Sequence, residues 1–252
     1  MLAVTEAGDG TAFFWGHGFT SSTEQESTGL LDWKRLARRH RIVRWDAPGH
    51  GRSDGNRDPA TYRWDSMGAA LPVLARELGV DRFVAGGVSM GAASALWCAV
   101  SAPDRVAGLV LTLAPTGYGT RAAQAAKYRA GADLVEREGF DAYVEAARTE
   151  PVPEILRDLA GAWDMTPQIG ADTLPTALRG AASSDLPPLE QVRGVDVPVL
   201  LLAWIGDPGH PVSTSELLAE TIPGAELHVA QDLADVLGWT DRVATFLDQI
   251  DG

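Results

Sequence analysis

The chain holds one cysteine, Cys98, in 252 residues, so no internal disulfide can form, and this usage fits a reducing, cytoplasmic compartment. Cys98 lies in the apolar helical stretch Leu96-Trp97-Cys98-Ala99-Val100 and reads as a small buried hydrophobe rather than a nucleophile. No run of about 18 apolar residues occurs, which excludes a helical membrane span. The opening Met1-Leu2-Ala3-Val4-Thr5-Glu6 has neither the basic nor the apolar region of a signal peptide, so none is expected. Basic residues are scarce: 21 Lys and Arg against 34 Asp and Glu leave a formal net charge of −13, which argues against a nucleic-acid partner. Repeats and low-complexity tracts are missing. Neither a metal nor a cofactor is expected, and nothing sets an oligomeric state.

What the chain does have is alternation. Short apolar runs rich in β-branched and aromatic residues, at 12–15, 41–45, 82–86, 106–113, 199–204 and 226–230, predict strands separated by amphipathic helices. Met67, Leu71, Leu74 and Leu78 stripe one helix that Gly79 is placed to end, although Pro72 predicts a late start or a kink. Ser213-Thr214-Ser215-Glu216 reads as a capping box for a later helix, and Trp239 through Ile250 gives the last one its apolar stripe. The expected fold class is therefore α/β: a mostly parallel sheet with helices on both faces. Residues 116–195 break the rhythm with helical patches and no strong strand. They read as a helical insertion, a lid on a core made of residues 1–115 and 196–252. Of its large apolar residues, Trp163 is the candidate for lining a substrate pocket.

The reactive candidate is Ser89, in Gly86-Gly87-Val88-Ser89-Met90-Gly91. A strand that turns abruptly into a helix forces the serine into a strained conformation, and side chains two positions either side would collide. Glycine at 87 and 91 answers that demand. The turn raises the Ser89 hydroxyl above the sheet edge and frees the Met90 N–H, at a helix N-terminus, to stabilise a developing oxyanion. An earlier apolar strand runs into Gly16-His17-Gly18-Phe19, a turn able to present the Phe19 N–H as a second donor. His17 reads as a loop-shaping residue with a second possible role in lining the pocket.

These stretches, with Asp46-Ala47-Pro48-Gly49-His50-Gly51-Arg52-Ser53-Asp54 between them, resemble the α/β-hydrolase superfamily in its branch with a helical cap. The resemblance implies an architectural role for the Asp46–Asp54 loop and its His50. It also implies an acid after the next-to-last strand, where Asp207 stands in Asp207-Pro208-Gly209-His210-Pro211. The family then carries a histidine after its last strand. Here that segment, Val229 to Trp239, contains none, and His228 comes too early. A serine hydroxyl is a weak nucleophile without a proton acceptor, so a substitute base is required for acyl transfer. His210, three residues past the acid, is one candidate, although a short loop rarely places acid and base together. Asp235 near the missing position is another, with an exposed helix-start carboxylate as its plainer reading. His40 reads as part of a solvated helix end.

Three readings follow. The first is a cytoplasmic serine hydrolase of a small, mostly apolar ester, lactone or related acyl substrate, with Ser89 as nucleophile, Asp207 as acid and an atypical or missing base for which His210 is a candidate. The second is a lyase, cyclase or isomerase on the same fold, and the third is a binding protein that uses the pocket as a receptor.

Overall fold

The computed structural model describes residues 1–150, 152–159 and 166–251, so Trp163 lies outside the described residues. Among these, seven strands form one sheet: β1 (Val4–Ala7), β2 (Ala12–Gly16), β3 (Arg41–Trp45), β4 (Phe83–Val88), β5 (Val106–Thr112), β6 (Val199–Trp204) and β7 (Glu226–Ala230). Their spatial order is β1-β3-β2-β4-β5-β6-β7, and only the β1–β3 pair is antiparallel. The fold class is the expected one. The strand missing from the sequence reading is β1, an edge strand with three of its four residues exposed, which carries no apolar alternation to detect.

Ten helices accompany the sheet in the described residues: α1 (Trp33–Leu36), α2 (Trp64–Glu77), α3 (Met90–Ser101), α4 (Arg121–Glu138), α5 (Phe140–Arg148), α6 (Leu174–Ala182), α7 (Leu189–Val192), α8 (Val212–Thr221), α9 (Leu233–Leu237) and α10 (Trp239–Asp251). Successive strand side chains point to opposite faces and divide the core in two. Phe14, Val43 and Ala85 pack with Met67, Leu71 and Leu96 of α2 and α3. Phe13, Ile42 and Val84 pack with Leu36 of α1 and Val243 and Leu247 of α10. The two layers enclose β4, whose six residues are all buried.

Two local expectations change. Helix α2 starts at Trp64 and runs through Pro72, so it does not start late. The Ser213–Glu216 capping box does not form. Pro211, with an extended ψ of 132°, is the N-cap of α8, and the helix begins at Val212, which places Thr214 and Ser215 inside the helix and buried.

No described residue between β5 and β6 belongs to a strand; α4 to α7 fill this stretch. Arg121 at the start of α4 is buried there. It donates to the Ser184 carbonyl at 2.7 Å, to the Ala181 carbonyl and to Thr116 Oγ1 at 3.3 Å, with its guanidinium 4.1 Å from the Trp64 ring centre. One side chain thus ties both ends of the helical segment to α2. Arg121→Met is expected to take the side-chain donor from the Ser184 carbonyl, to leave the Ala181 carbonyl only its backbone donors, and to lower stability by about 2–4 kcal/mol, readable as a lower urea midpoint.

Candidate active site

Ser89 sits between β4 and α3 with φ 53° and ψ −110°, a conformation that a non-glycine residue adopts only under constraint. The constraint is steric fit with β2. A Cβ on Gly87 would lie 2.5 Å from the Gly16 carbonyl oxygen, and one on Gly91 would land on that same oxygen. The two elbow glycines therefore accommodate the neighbouring strand as much as each other. The Ser89 N–H bonds the Thr112 carbonyl at 3.0 Å, which anchors the turn to β5. Met90 is the first residue of α3, so its N–H has no intrahelical partner and remains at the positive end of the helix.

The loop after β2 lies against the elbow: a Cβ on Gly18 would be 3.9 Å from Ser89 Cβ. Glu26 holds this loop, accepting the Gly18 N–H at 2.9 Å and the Trp15 indole N–H at 3.2 Å. Phe19 follows, its ring 5.2 Å from that of Tyr128 on α4. His17 is buried; its Nε2 accepts the Ala47 N–H at 2.9 Å, which puts the ring proton on Nδ1, facing the Gly18 carbonyl at 2.7 Å. Both nitrogens of His17 are thus committed to backbone. The Asp46 carboxylate accepts the N–H groups of Thr23 at 2.7 Å and Arg52 at 3.0 Å, closing the next loop beneath it.

His50 in that loop donates from Nδ1 to the Pro48 carbonyl at 2.9 Å and is fully enclosed. Burial, reinforced by the neighbouring His17, brings its pKa down from 6.5 to about 3. An unfolded chain takes up this proton near its ordinary value, the folded chain only near pH 3. Stability contributed by neutral His50 is therefore present above pH 6.5 and lost as pH falls toward 3. Urea midpoints are expected to drop through this window, with a shallower slope in His50→Gln.

The remaining groups come from one turn after β6. Its His210 N–H bonds the Asp207 carbonyl at 3.2 Å, and the Gly209 N–H bonds Asp207 Oδ1 at 2.9 Å, folding the loop back on itself. His210 Nδ1 then reaches Asp207 Oδ2 at 2.8 Å, and His210 Nε2 reaches Ser89 Oγ at 2.8 Å. A carboxylate only accepts, so Nδ1 carries the proton and Nε2 is free to accept from the serine. The His210 side chain is 25% exposed and that of Asp207 9%, so solvent reaches the imidazole and scarcely the carboxylate. Burial raises the Asp207 pKa, but hydrogen bonds from His210, Trp204 and Gly209 outweigh it and hold the value at about 2. In this geometry Ser89 can pass a proton to His210, and Asp207 can balance the resulting charge.

The other sequence candidates lie elsewhere. Asp235 lies in the first turn of α9, where its N–H bonds the side chain of the N-cap Asp232 at 3.0 Å and its carboxylate accepts the Gln231 N–H at 2.9 Å. His228 is within β7, paired in register with Leu202. His40 is buried rather than solvated, because the chain turns inward after the short α1 and brings its ring 3.3 Å from Asp248 of α10. Sequence reasoning passed over Glu26 and Trp204. Glu26 has no local signal; the indole N–H of Trp204 reaches Asp207 Oδ2 at 2.9 Å, and its place at a strand end three residues before an acid was available to read.

Residues 17–240 match the family described as alpha/beta hydrolase fold. The chain is 27% identical over 198 residues to 3-oxoadipate enol-lactonase 2 of Acinetobacter baylyi, covering 75% of this chain and 70% of that one. It is 29% identical over 197 residues to the putative 2-succinyl-6-hydroxy-2,4-cyclohexadiene-1-carboxylate synthase of Bacillus subtilis, covering 74% and 70%. Among solved structures, it is similar to a thermophilic esterase from Thermogutta terrifontis with a TM-score of 0.78 at 23% identity, over 100% of this chain and 94% of that one.

Proposed function

The chain belongs to the α/β-hydrolase fold family, and within it we propose that it is a serine hydrolase of small, mostly apolar esters or lactones. Ser89 is the nucleophile, His210 the base and Asp207 the acid that orients it. The observation that carries this reading is the unbroken chain of hydrogen bonds from Asp207 Oδ2 through His210 to Ser89 Oγ, 2.8 Å at each step. The esterase and enol-lactonase names among similar proteins support an ester or lactone bond. Phe19 and Tyr128 offer an apolar wall beside the elbow. The helical segment 116–195 serves as a lid, tied to the core loops by the Gln168 N–H to the Thr20 carbonyl and the Gly51 N–H to the Gln168 carbonyl, each 2.7 Å.

In the reaction Ser89 Oγ bonds the substrate carbonyl carbon while its proton passes to His210 Nε2. The carbonyl electron pair moves onto oxygen, where the N–H groups of Phe19 and Met90 receive it. His210 next gives its proton to the departing alkoxide, or to the ring oxygen of a lactone, leaving an acyl-serine. Water, deprotonated by the same Nε2, attacks the acyl carbon and releases the acid with Ser89 restored. Treating the protein with a fluorophosphonate probe and mapping the adduct by mass spectrometry tests this directly. One adduct, on Ser89, together with turnover of p-nitrophenyl butyrate, is the expected result; an unlabelled protein at every pH tried overturns it.

A further inference from the structure

We propose that Trp204 is a positioning residue for this site: its indole N–H fixes the Asp207 carboxylate in the one rotation that steers His210 onto Ser89. The inference rests on the serine-hydrolase reading above. Asp207 Oδ2 receives two donors, Trp204 Nε1 at 2.9 Å and His210 Nδ1 at 2.8 Å, while Oδ1 receives only the Gly209 N–H at 2.9 Å. Gly209 belongs to the same turn as the acid and base and moves with them. Trp204 does not. It ends β6 and is buried, and its ring stacks on that of Trp239 at 5.8 Å and 18°.

Acid and base separated by two residues share one short loop, so an error in that loop displaces both together relative to Ser89. A loop of this kind needs a reference point outside itself. Among the described residues two such anchors are present: the Thr116 N–H on the Gly209 carbonyl at 3.2 Å, which holds the loop backbone, and the Trp204 indole, which holds the carboxylate from outside the turn. Without the indole N–H the carboxylate is held only from within the turn, by Gly209 and His210, and shifts with it. His210 Nδ1 then loses a fixed acceptor, and Nε2 loses its aim at the serine. Misplacement of about 1 Å in such a relay costs on the order of 100-fold in rate.

Trp204→Phe keeps a ring for the stack and removes only the donor. The rate of fluorophosphonate labelling at Ser89 is expected to fall by about 10- to 100-fold, with the concentration dependence on probe unchanged. In an Asp207→Ala background the same substitution is expected to change the rate by less than about threefold, because the group through which it acts is gone. An equal loss in both backgrounds, or none in the first, overturns the proposal. The indole proton of Trp204, identified by its disappearance in Trp204→Phe, gives a second measurement that needs no catalysis. It is expected far downfield in the wild type and to move upfield in Asp207→Ala; a resonance indifferent to Asp207 overturns the proposal. Should wild-type Ser89 prove unreactive, the hydrolase reading fails by itself, and the indole resonance still decides whether Trp204 holds the acid.

Discussion

His210→Gln is expected to lower kcat for a p-nitrophenyl ester by about 10⁴- to 10⁶-fold with KM little changed. Glutamine fills much of the same space and hydrogen-bonds, but its amide does not take up the serine proton, so the loss falls on the chemical step. No other histidine is placed to compensate. The chain has five: His17 is bonded to Gly18 and Ala47, His50 to Pro48, His40 faces Asp248 in the described structure, and His228 is within β7. In His210→Ala, which leaves the space of the ring open beside a partly solvent-exposed position, added imidazole is expected to restore part of the rate. Steady-state kinetics on His210→Gln, and on His210→Ala with and without imidazole, make the measurement. A kcat within tenfold of wild type would remove His210 from the mechanism.

The same residue shows where the sequence is legible and where it is not. Ser89 is readable because the strand-to-helix turn imposes a steric demand that only small residues at 87 and 91 meet, and that demand is local. The Gly16 carbonyl, which makes it so severe, comes from another strand and is invisible in the sequence. The place of Asp207 follows from strand order. The base does not, since nothing in a periodic pattern states which way a loop turns. A short loop rarely brings a carboxylate and an imidazole together, but the turn chemistry of Asp207-Pro208-Gly209-His210 does so here. Proline presets the second position of a tight turn, glycine follows, and the aspartate side chain closes it by accepting the Gly209 N–H at 2.9 Å. That turn carries residue 210 back over the carboxylate of residue 207. Trp204 and Glu26 are harder still, because a side chain that orients another acts through contacts that depend on the folded positions of both.

Gly91→Ala carries the other large effect, on stability. Within a helix, replacing glycine by alanine ordinarily stabilises by about 1 kcal/mol through lower backbone entropy in the unfolded chain. Gly91 is the second residue of α3, where part of that gain applies. The collision decides the sign. The new methyl would land on the Gly16 carbonyl oxygen, which is backbone and cannot rotate away. Gly16 is in turn held in the sheet between Trp45 of β3 and Gly87 of β4, its partners in register, so β2 cannot simply retreat. Relief requires α3 and β2 to part, and the expected loss is about 3–5 kcal/mol. Gly119→Ala, at a position with nothing within 4 Å, is expected to remain near wild type and controls for the glycine-to-alanine change itself. Urea unfolding of both variants makes the comparison, and a Gly91→Ala protein within about 1 kcal/mol of wild type would contradict the close packing. The variant that folds at low temperature should also be a poor enzyme. Gly16 leads directly into His17-Gly18-Phe19, so any movement that accommodates the methyl shifts the Phe19 N–H relative to Ser89. The close approach of Gly91 to Gly16 thus lies between Ser89 and the loop that carries Phe19, and on the proposed mechanism stability and activity should fall together.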